Sequence, residues 1–492
     1  MLDYDVVIIG GTLAGRQAAL TATQMRARVA LVEPHPAPVA GQIFGPNAHQ
    51  TLLQVARVAR QMREISQYGI SWETATRAGE GEDDRSRSEN INILVRQDQT
   101  RRWMECVADH MESLYDSAIL ASRGVDVIFG NGEFTAEPKL SFVVNGRRLR
   151  SRTYLLATGS RPRLPDAEGL PLAGCLSADT VGKLTQIPAR LAVVGGDPTG
   201  AELAQTFARL GSQVTLVTRG PHILGREDPE AAFLVQAQLE ADGVTVLTRT
   251  PVTQARQIED TKWIQAGDRA MEVDEIILAA GRTPQVGGLN LEGAGVQLLP
   301  DRLVLNEKLQ TTNPRIYACG AIAGGYPLPH VAEYETRVAL KNALYWPRLR
   351  VNYHGIPWVV HTDPPLARVG LTQKQARRRY GDRVRVSRET FRHVPKAHLL
   401  GETTGFCELV GHRDGRILGA SIFGAGADES INLAAIAIRE GLKMDAIADF
   451  PAVWPTLAGV APQTAAAWVR DRRSLRSDWI EMLFDWRRSW GS

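Results

Sequence analysis

The feature that most constrains this chain is a local pattern that occurs twice. A short apolar run from Asp5 to Ile9 meets Gly10-Gly11, and an alanine-rich helical stretch follows from Gly15 to Gln24. A second apolar run, Val29 to Val32, then ends on Glu33. The same order returns with Leu191 to Val194 as strand, Gly195-Gly196 as turn, Gly200 to Leu210 as helix and Val214 to Val217 as strand. A strand that enters a glycine turn and then a helix offers backbone N–H groups and a helix N-terminus to a pyrophosphate. Two such units predict a pair of parallel-sheet, dinucleotide-binding folds of the α/β class.

The two turns differ in chemistry. The first reads Gly10-Gly11-Thr12-Leu13-Ala14-Gly15, with Thr12 at the second glycine of the G-x-G-x-x-G pattern. Threonine is small and could donate a hydroxyl there. Glu33, at the end of the second strand, is placed to accept hydrogen bonds from ribose hydroxyls. The second turn reads Gly195-Gly196-Asp197-Pro198-Thr199-Gly200-Ala201-Glu202. A carboxylate at Asp197 repels a pyrophosphate unless it turns away or meets a cation. The strand after this turn ends on Thr218-Arg219, with no acid at the ribose position. Arg219 can pair with a 2′-phosphate, which favours NADPH over NADH. The alternative is that Arg219 and Arg226 are solvated surface charges.

At 492 residues the chain exceeds one compact domain, and about 150 residues per domain predicts roughly three. Residues 34–50 read as loop, Gln50 to Ile65 as helix, Arg77 to Asn90 as an exposed polar insertion, and Gln97 to Arg123 as helix. Residues 350–465 have another texture, with strands at Trp358–Val360, Phe406–Val410 and Ile417–Ile422 before a helix from Glu429 to Arg439. Lysine and arginine number 57 against 54 acids, a net charge of +3, which excludes a general nucleic-acid polycation. Cys106, Cys175, Cys319 and Cys407 are too far apart in sequence for a local zinc site or a disulfide-stapled module. No apolar run reaches the ~18 residues of a membrane span. The chain opens on a strand-like run rather than a leader, so the expected compartment is the cytoplasm.

With these motifs the sequence resembles the flavoprotein disulfide reductase family, which includes dihydrolipoamide dehydrogenase, glutathione reductase and mercuric reductase. The likeness covers roughly residues 3–465. Ala157-Thr158-Gly159-Ser160 and Ala280-Gly281-Arg282-Thr283-Pro284 look like the family's two crossing turns between domains. Ile316 to Gly320 looks like the segment that returns to the flavin, and Leu328 to Glu335 like the helix start beneath the isoalloxazine. Ile356 to Leu371 looks like the start of the dimerisation domain, and Arg219 to Pro229 is similar to the mercuric reductase branch. The resemblance implies two Rossmann-like domains, an α+β dimerisation domain and a homodimer. Its boundaries would be an FAD domain at 1–160 and 286–349, an NAD(P) domain at 161–285, a dimerisation domain at 350–465, and a tail at 466–492. It implies FAD at Gly10, Gly11, Thr12, Ala14, Gly15, Glu33, Ala157, Thr158, Gly159, Gly281, Gly320, Ala321, His330 and Ala332. It implies NAD(P)H, expected as NADPH, at Gly195, Gly200 and Arg219, with Glu202 near flavin and nicotinamide as the catalytic candidate.

Departures from the family carry the functional expectation. Disulfide-reducing members have two cysteines four residues apart after the ribose acid. The matching stretch here, Gly41 to Gln50, puts Gly41 and Pro46 at those positions, and no cysteine precedes Cys106. Gln50 takes the place of the lysine that usually follows. The family's C-terminal His-Pro-Thr motif and its glutamate are matched by Trp454-Pro455-Thr456-Leu457-Ala458-Gly459. Thiolate chemistry needs a nucleophilic sulfur and a base of matched pKa, so neither disulfide nor mercuric-ion reduction is expected by the family route. Gly320-Ala321 stands where the family has Gly-Asp, which removes a hydrogen bond to the ribityl chain. His49 is either a proton donor near the flavin or an ordinary loop or cap residue. Cys319 reads as a buried small hydrophobe. Trp454 either covers the partner's flavin or fills core.

From Ala467 to Ser492 the chain is dense in Trp and Arg. Leu475, Trp479, Leu483, Trp486 and Trp490 recur on one helical face, while Arg472, Arg473, Arg476, Asp478, Glu481, Asp485, Arg487 and Arg488 take the other. Such an amphipathic tail suits a membrane surface, or packs on its own dimer. The expected function is FAD-dependent NAD(P)H oxidation without thiol–disulfide chemistry, with electrons passed from flavin to a small quinone-like acceptor. The alternatives are a flavin-binding sensor or membrane-attached scaffold with little turnover, and a flavoenzyme reduced by a protein donor such as a ferredoxin. Nucleic-acid binding is not expected, and the location is cytoplasmic or peripheral on a membrane.

Overall fold

The computed structural model describes residues 2–34, 48–70, 95–300, 302–474 and 477–490. The cysteine-position residues Gly41 and Pro46, the polar insertion 77–90, and Leu475 and Arg476 of the tail lie outside the described residues, as does the side chain of Trp479. The chain divides into two compact units, one of residues 1–220 and 240–351, the other of 221–239 and 352–492.

The first unit holds both glycine-turn patterns. Its first sheet has five parallel strands in the order Ile316–Ala318, Ser151–Leu156, Tyr4–Ile9, Val29–Glu33 and Val125–Phe129. Its second sheet is also parallel, in the order Thr245–Leu247, Gln213–Val217, Arg190–Val194, Glu275–Leu278 and Leu176–Ser177. The central strands read as unbroken apolar runs because both faces are covered: Val6, Val7 and Ile8 are all fully buried, as are Ala192 and Val193. The strand before each turn is central in its sheet, with a neighbour on either side, so both turns open at the carboxyl edge where α/β sheets bind ligands. A three-stranded antiparallel sheet is inserted in each crossover, at Gly132–Leu149 and at Val252–Val273.

Local chemistry moved several element boundaries. The stretch expected as one helix from Gln97 to Arg123 is two, Gln97–Ser113 and Ser117–Ser122. Asp116 breaks it by capping the second, its carboxylate accepting the Ala118 N–H at 3.1 Å. The same bond and the Ser117 hydroxyl hold the Asp116 carboxyl below its ordinary range. The helix expected from Gln50 begins two residues earlier, at Ala48, so His49 lies in its first turn rather than in a loop.

The second unit is built on a five-stranded antiparallel sheet, ordered Trp358–Val360, Leu366–Gly370, Ile417–Phe423, Phe406–His412 and Val384–Thr390. Helices Ala427–Arg439 and Val460–Ser474 pack on it, and Phe391, Ile431, Ala434 and Trp468 share its core. Trp468 is therefore a core residue, 2% exposed, and not part of an external tail. The amphipathic tail begins later, as helix Ser477–Ser489, where Leu483 and Trp486 are exposed, as is Trp490 just beyond it; the two tryptophan rings lie 4.8 Å apart, tilted at 46°. No described helix is long and apolar enough to cross a membrane.

Trp468→Ala is expected to cost about 3–5 kcal/mol, the usual loss for a buried large aromatic. It should lower the urea midpoint of the second unit. A chain ended after Ser474 should keep the wild-type midpoint, since every core residue among the described residues precedes that point.

Candidate functional site

The first turn is closed so tightly that its glycines have no substitute. Gly10 has φ +112°, and a Cβ there would lie 2.5 Å from the Ala157 carbonyl oxygen. A Cβ on Gly15 would lie 1.9 Å from the Gly10 carbonyl, and one on Gly11 would lie 2.4 Å from the Glu33 carboxyl carbon. Thr12 caps the following helix: its hydroxyl accepts the Gly15 N–H at 3.4 Å and donates to Ala157 O at 2.7 Å. Its proton thus ties the turn to the neighbouring strand instead of facing a phosphate.

Sequence reasoning missed Arg16. The guanidinium is 1% exposed and fully engaged. It donates to Gly11 O at 3.0 Å, to Tyr115 O at 2.6 Å and to Glu33 Oε2 at 2.6 Å. An arginine one residue past the last turn glycine is ordinarily read as surface charge, so the only signal was its place in the motif. Burial pushes the Glu33 carboxyl up, against the pull of Arg16. Glu33 Oε1 is buried without a hydrogen-bond partner. An unfilled buried acceptor costs about 1–3 kcal/mol, and a ribose hydroxyl supplies the missing donor, so Glu33 fits the ribose role.

The other expected FAD residues gather beside this turn. A Cβ on Gly320 would sit 3.0 Å from the Ala14 Cβ and 3.4 Å from the Ala332 Cβ, which brings these three together. Glu335, also missed, accepts the Gly320 N–H at 2.7 Å. Ala321 presents no polar side chain, as its identity requires, and His330 is exposed in the first turn of helix Pro329–Leu344. Thr158 donates to Gln285 O at 2.6 Å, and Gly159 O accepts the Gln285 N–H at 3.0 Å. Strands Ser160–Pro162 and Arg282–Pro284 pair antiparallel. Arg282 locks the pair, reaching both carboxylate oxygens of Asp179 at 3.0 and 2.9 Å and the Ser160 hydroxyl at 2.7 Å. Gly281, at φ +97°, turns the chain into this ribbon.

The second turn repeats the first. Gly195 has φ +123° and a Cβ there would lie 2.2 Å from Ala279 O; one on Gly200 would lie 1.9 Å from Gly195 O. Asp197 occupies the cap position of Thr12, with its side chain exposed and making no cap hydrogen bond. A Cβ on Gly281 would come within 3.9 Å of Asp197 Oδ2. Arg219 is exposed just past strand Gln213–Val217.

The helix after the second turn carries one half of a buried pair. Glu202, in the first turns of helix Pro198–Arg209, meets His49 with Nε2···Oε2 at 2.7 Å, and the residues are 4% and 2% exposed. His49, not Gln50, is the residue brought to Glu202, and it is no loop or cap histidine. Its Nδ1 is buried without a hydrogen-bond partner. The thiols are scattered. Cys106 is exposed and Cys175 half-buried, while Cys319 and Cys407 are buried. Burial pushes the Cys175 thiol up to about 11 and those of Cys319 and Cys407 up to about 12. Trp454, at the position of the family's histidine, is 77% exposed.

Gly15→Ala is expected to give protein purified without flavin. Gly200→Ala should keep flavin and lose nicotinamide-nucleotide binding, read by absorbance and by fluorescence titration. In the native protein a disulfide reagent at pH 7 to 8 should titrate Cys106 alone. The thiolate fractions elsewhere are negligible below their raised pKa values, so the other three should react only after unfolding.

The description "Pyridine nucleotide-disulphide oxidoreductase" matches residues 4–336, and its dimerisation domain matches residues 356–465. A mercuric reductase of Staphylococcus aureus is 30% identical over 462 residues, covering 93% of this chain and 81% of its own. A dihydrolipoyl dehydrogenase of Bacillus subtilis (strain 168) is 30% identical over 467 residues, covering 92% and 96%. Among solved structures, LpdA from Mycobacterium tuberculosis has a TM-score of 0.81 at 24% identity, covering 94% of this chain and 99% of its own. A Cu(II) complex of a cysteine-to-serine mutant of the Escherichia coli HOCl-induced flavoprotein disulfide reductase RclA has a TM-score of 0.80 at 23% identity, covering 95% and 99%. Two glycine turns on parallel sheets, a dimerisation domain and these likenesses agree: the chain belongs to the pyridine nucleotide-disulphide oxidoreductase family, the flavoprotein disulfide reductases, whose members bind FAD and NAD(P)H.

Proposed function

We propose that this chain is an FAD-dependent NAD(P)H oxidoreductase that works without thiol–disulfide chemistry and hands electrons to a small acceptor of the quinone type. The observation that carries this reading is the pairing of two strand–glycine turn–helix units with the lack of a dithiol in the stretch that matches the family's. Gly41 to Gln50 contains no cysteine, and three of the four thiols are held far above neutral pH. Relatives are named mercuric reductase and dihydrolipoyl dehydrogenase; this chain has kept their frame and lost the sulfur pair. Bound at the first turn, FAD would supply two-electron chemistry, with hydride taken from the nicotinamide. The chain's own work is to bind and orient. Gly10, Gly11 and Gly15 admit the flavin's diphosphate, and Glu33, fixed by Arg16, accepts from its ribose. Gly195 and Gly200 admit the nicotinamide nucleotide, and Arg219 meets a 2′-phosphate, which makes NADPH the preferred donor. The homodimer forms through the dimerisation domain, and the exposed helix Ser477–Ser489 lies on a membrane surface, within reach of lipid quinones.

Asp197 favours a second reading. Its carboxylate at the second turn weakens nucleotide binding, leaving a flavin-binding sensor or scaffold, or an enzyme reduced by a protein donor such as a ferredoxin.

Anaerobic titration with NADPH separates these readings. Stoichiometric bleaching of the flavin band is the expected result, whereas a flavin that stays oxidised favours the second reading. Arg219→Gln should weaken NADPH about tenfold relative to NADH, the loss of one charge-assisted pair. Cys106→Ser should leave turnover unchanged, and a loss there would reinstate thiol chemistry. Liposome flotation should be lost on removing residues 477–492, and unchanged flotation would sink the membrane assignment.

A further inference from the structure

Resting on that reading, we propose that His49 is the proton donor of the reaction, held in place at Nε2 by Glu202 and delivering its proton through Nδ1. The pair stands where the chemistry must occur. His49 lies in the crossover between strands Val29–Glu33 and Val125–Phe129 of the first sheet, and Glu202 in the helix that follows the second glycine turn. Electrons that pass from a dinucleotide at the second turn to one at the first must cross between the two parallel sheets of the first unit, and His49–Glu202 is a buried contact between helices that belong to these two sheets.

The hydrogen bonding of the pair assigns the roles. Glu202 Oε2 and His49 Nε2 share a proton at 2.7 Å. A carboxylate only accepts, so the neutral ring carries its hydrogen on Nε2 and leaves Nδ1 as a bare lone pair. Protonation puts a hydrogen on Nδ1, again with no partner among the described residues. Neither state is satisfied by those residues. A structural histidine at 2% exposure is ordinarily bonded at both nitrogens. The unmet demand at Nδ1 is what a substrate oxygen, directly or through one water, would fill.

The stoichiometry of the proposed reaction needs such a donor. Reducing a quinone to its hydroquinone takes two electrons and two protons. The hydride of NAD(P)H supplies two electrons and one proton, so NAD(P)H, H⁺ and quinone give NAD(P)⁺ and hydroquinone. The remaining proton leaves the imidazolium: the Nδ1–H bond breaks, an O–H bond forms on the acceptor, and the neutral ring regains its proton from solvent. Glu202 holds the ring through Nε2 and fixes its tautomer, which makes it a positioning residue.

The test uses holoprotein reduced with dithionite, so that it does not depend on the nicotinamide site, and follows reoxidation by two probes. Menadione needs protons; ferricyanide takes electrons alone. His49→Gln and His49→Asn are expected to slow reoxidation by menadione about 10²-fold, the usual share of a positioned general acid, and reoxidation by ferricyanide at least tenfold less than that. Equal losses with both probes, or no loss with menadione, would overturn the proposal. A second readout is independent of activity: ¹⁵N-histidine NMR should show His49 protonated at Nε2 and bare at Nδ1, with Glu202→Gln removing that preference. A neutral ring protonated at Nδ1 would also overturn it. Wild-type protein that reduces ferricyanide but not menadione would instead remove the quinone class, and the proton donor with it.

Discussion

Everything functional in this chain depends on two places where backbone meets backbone. At Gly10 against Ala157, and again at Gly195 against Ala279, the strand leaving the sheet passes so close to its neighbour that a single added carbon would overlap a carbonyl. The strand can then turn at once into a helix that starts at the sheet's carboxyl edge. Anion binding at such an edge would rest on first-turn backbone donors and the helix dipole. The remaining apparatus fixes what surrounds these two edges. Arg16 pins Glu33 beneath the first, Glu335 holds the return segment at Gly320, and Arg282 with Asp179 ties the ribbon that leads from one sheet to the other.

Local pattern exposed the frame and hid the contacts. Strands Tyr4–Ile9 and Arg190–Val194 lie within a residue of where their apolar runs placed them, because strands buried on both faces leave continuous hydrophobic stretches. The glycine turns were legible because only glycine meets their steric demand. The split after Ser113 was not, since one aspartate cap outweighed a long helical run. Trp468 was drawn toward the tail by composition, although its helix starts at Val460 and docks it in the second unit's core. Arg16 and His49 were undervalued for a common reason. Each is a residue type that usually sits at the surface or in a loop, and only long-range partners, Glu33 and Glu202, show it buried and committed.

The proposed chemistry is narrower than the family's. A dithiol relay stores two electrons on sulfur beside the flavin and needs a low thiol pKa with a base at hand. Here the thiols are dispersed, three are pushed far above neutral pH, and a tryptophan replaces the base. What the structure shows is two glycine turns on parallel sheets and one buried carboxylate–imidazole contact, His49 with Glu202. On the proposed reading, such a site would suit acceptors that approach the flavin itself.

The unfilled oxygen of Glu33 bears on the life of the chain before it works. Without a ribose donor, the first unit carries a buried charge pair with one acceptor unsatisfied, close under its own central strand. A ligand that binds only the folded form stabilises it by mass action. Flavin would thus serve as a late structural component as well as a redox carrier. The amount of this protein that survives in a cell would then follow the flavin supply, and starvation for riboflavin would be felt as turnover of the polypeptide before it was felt as idle enzyme.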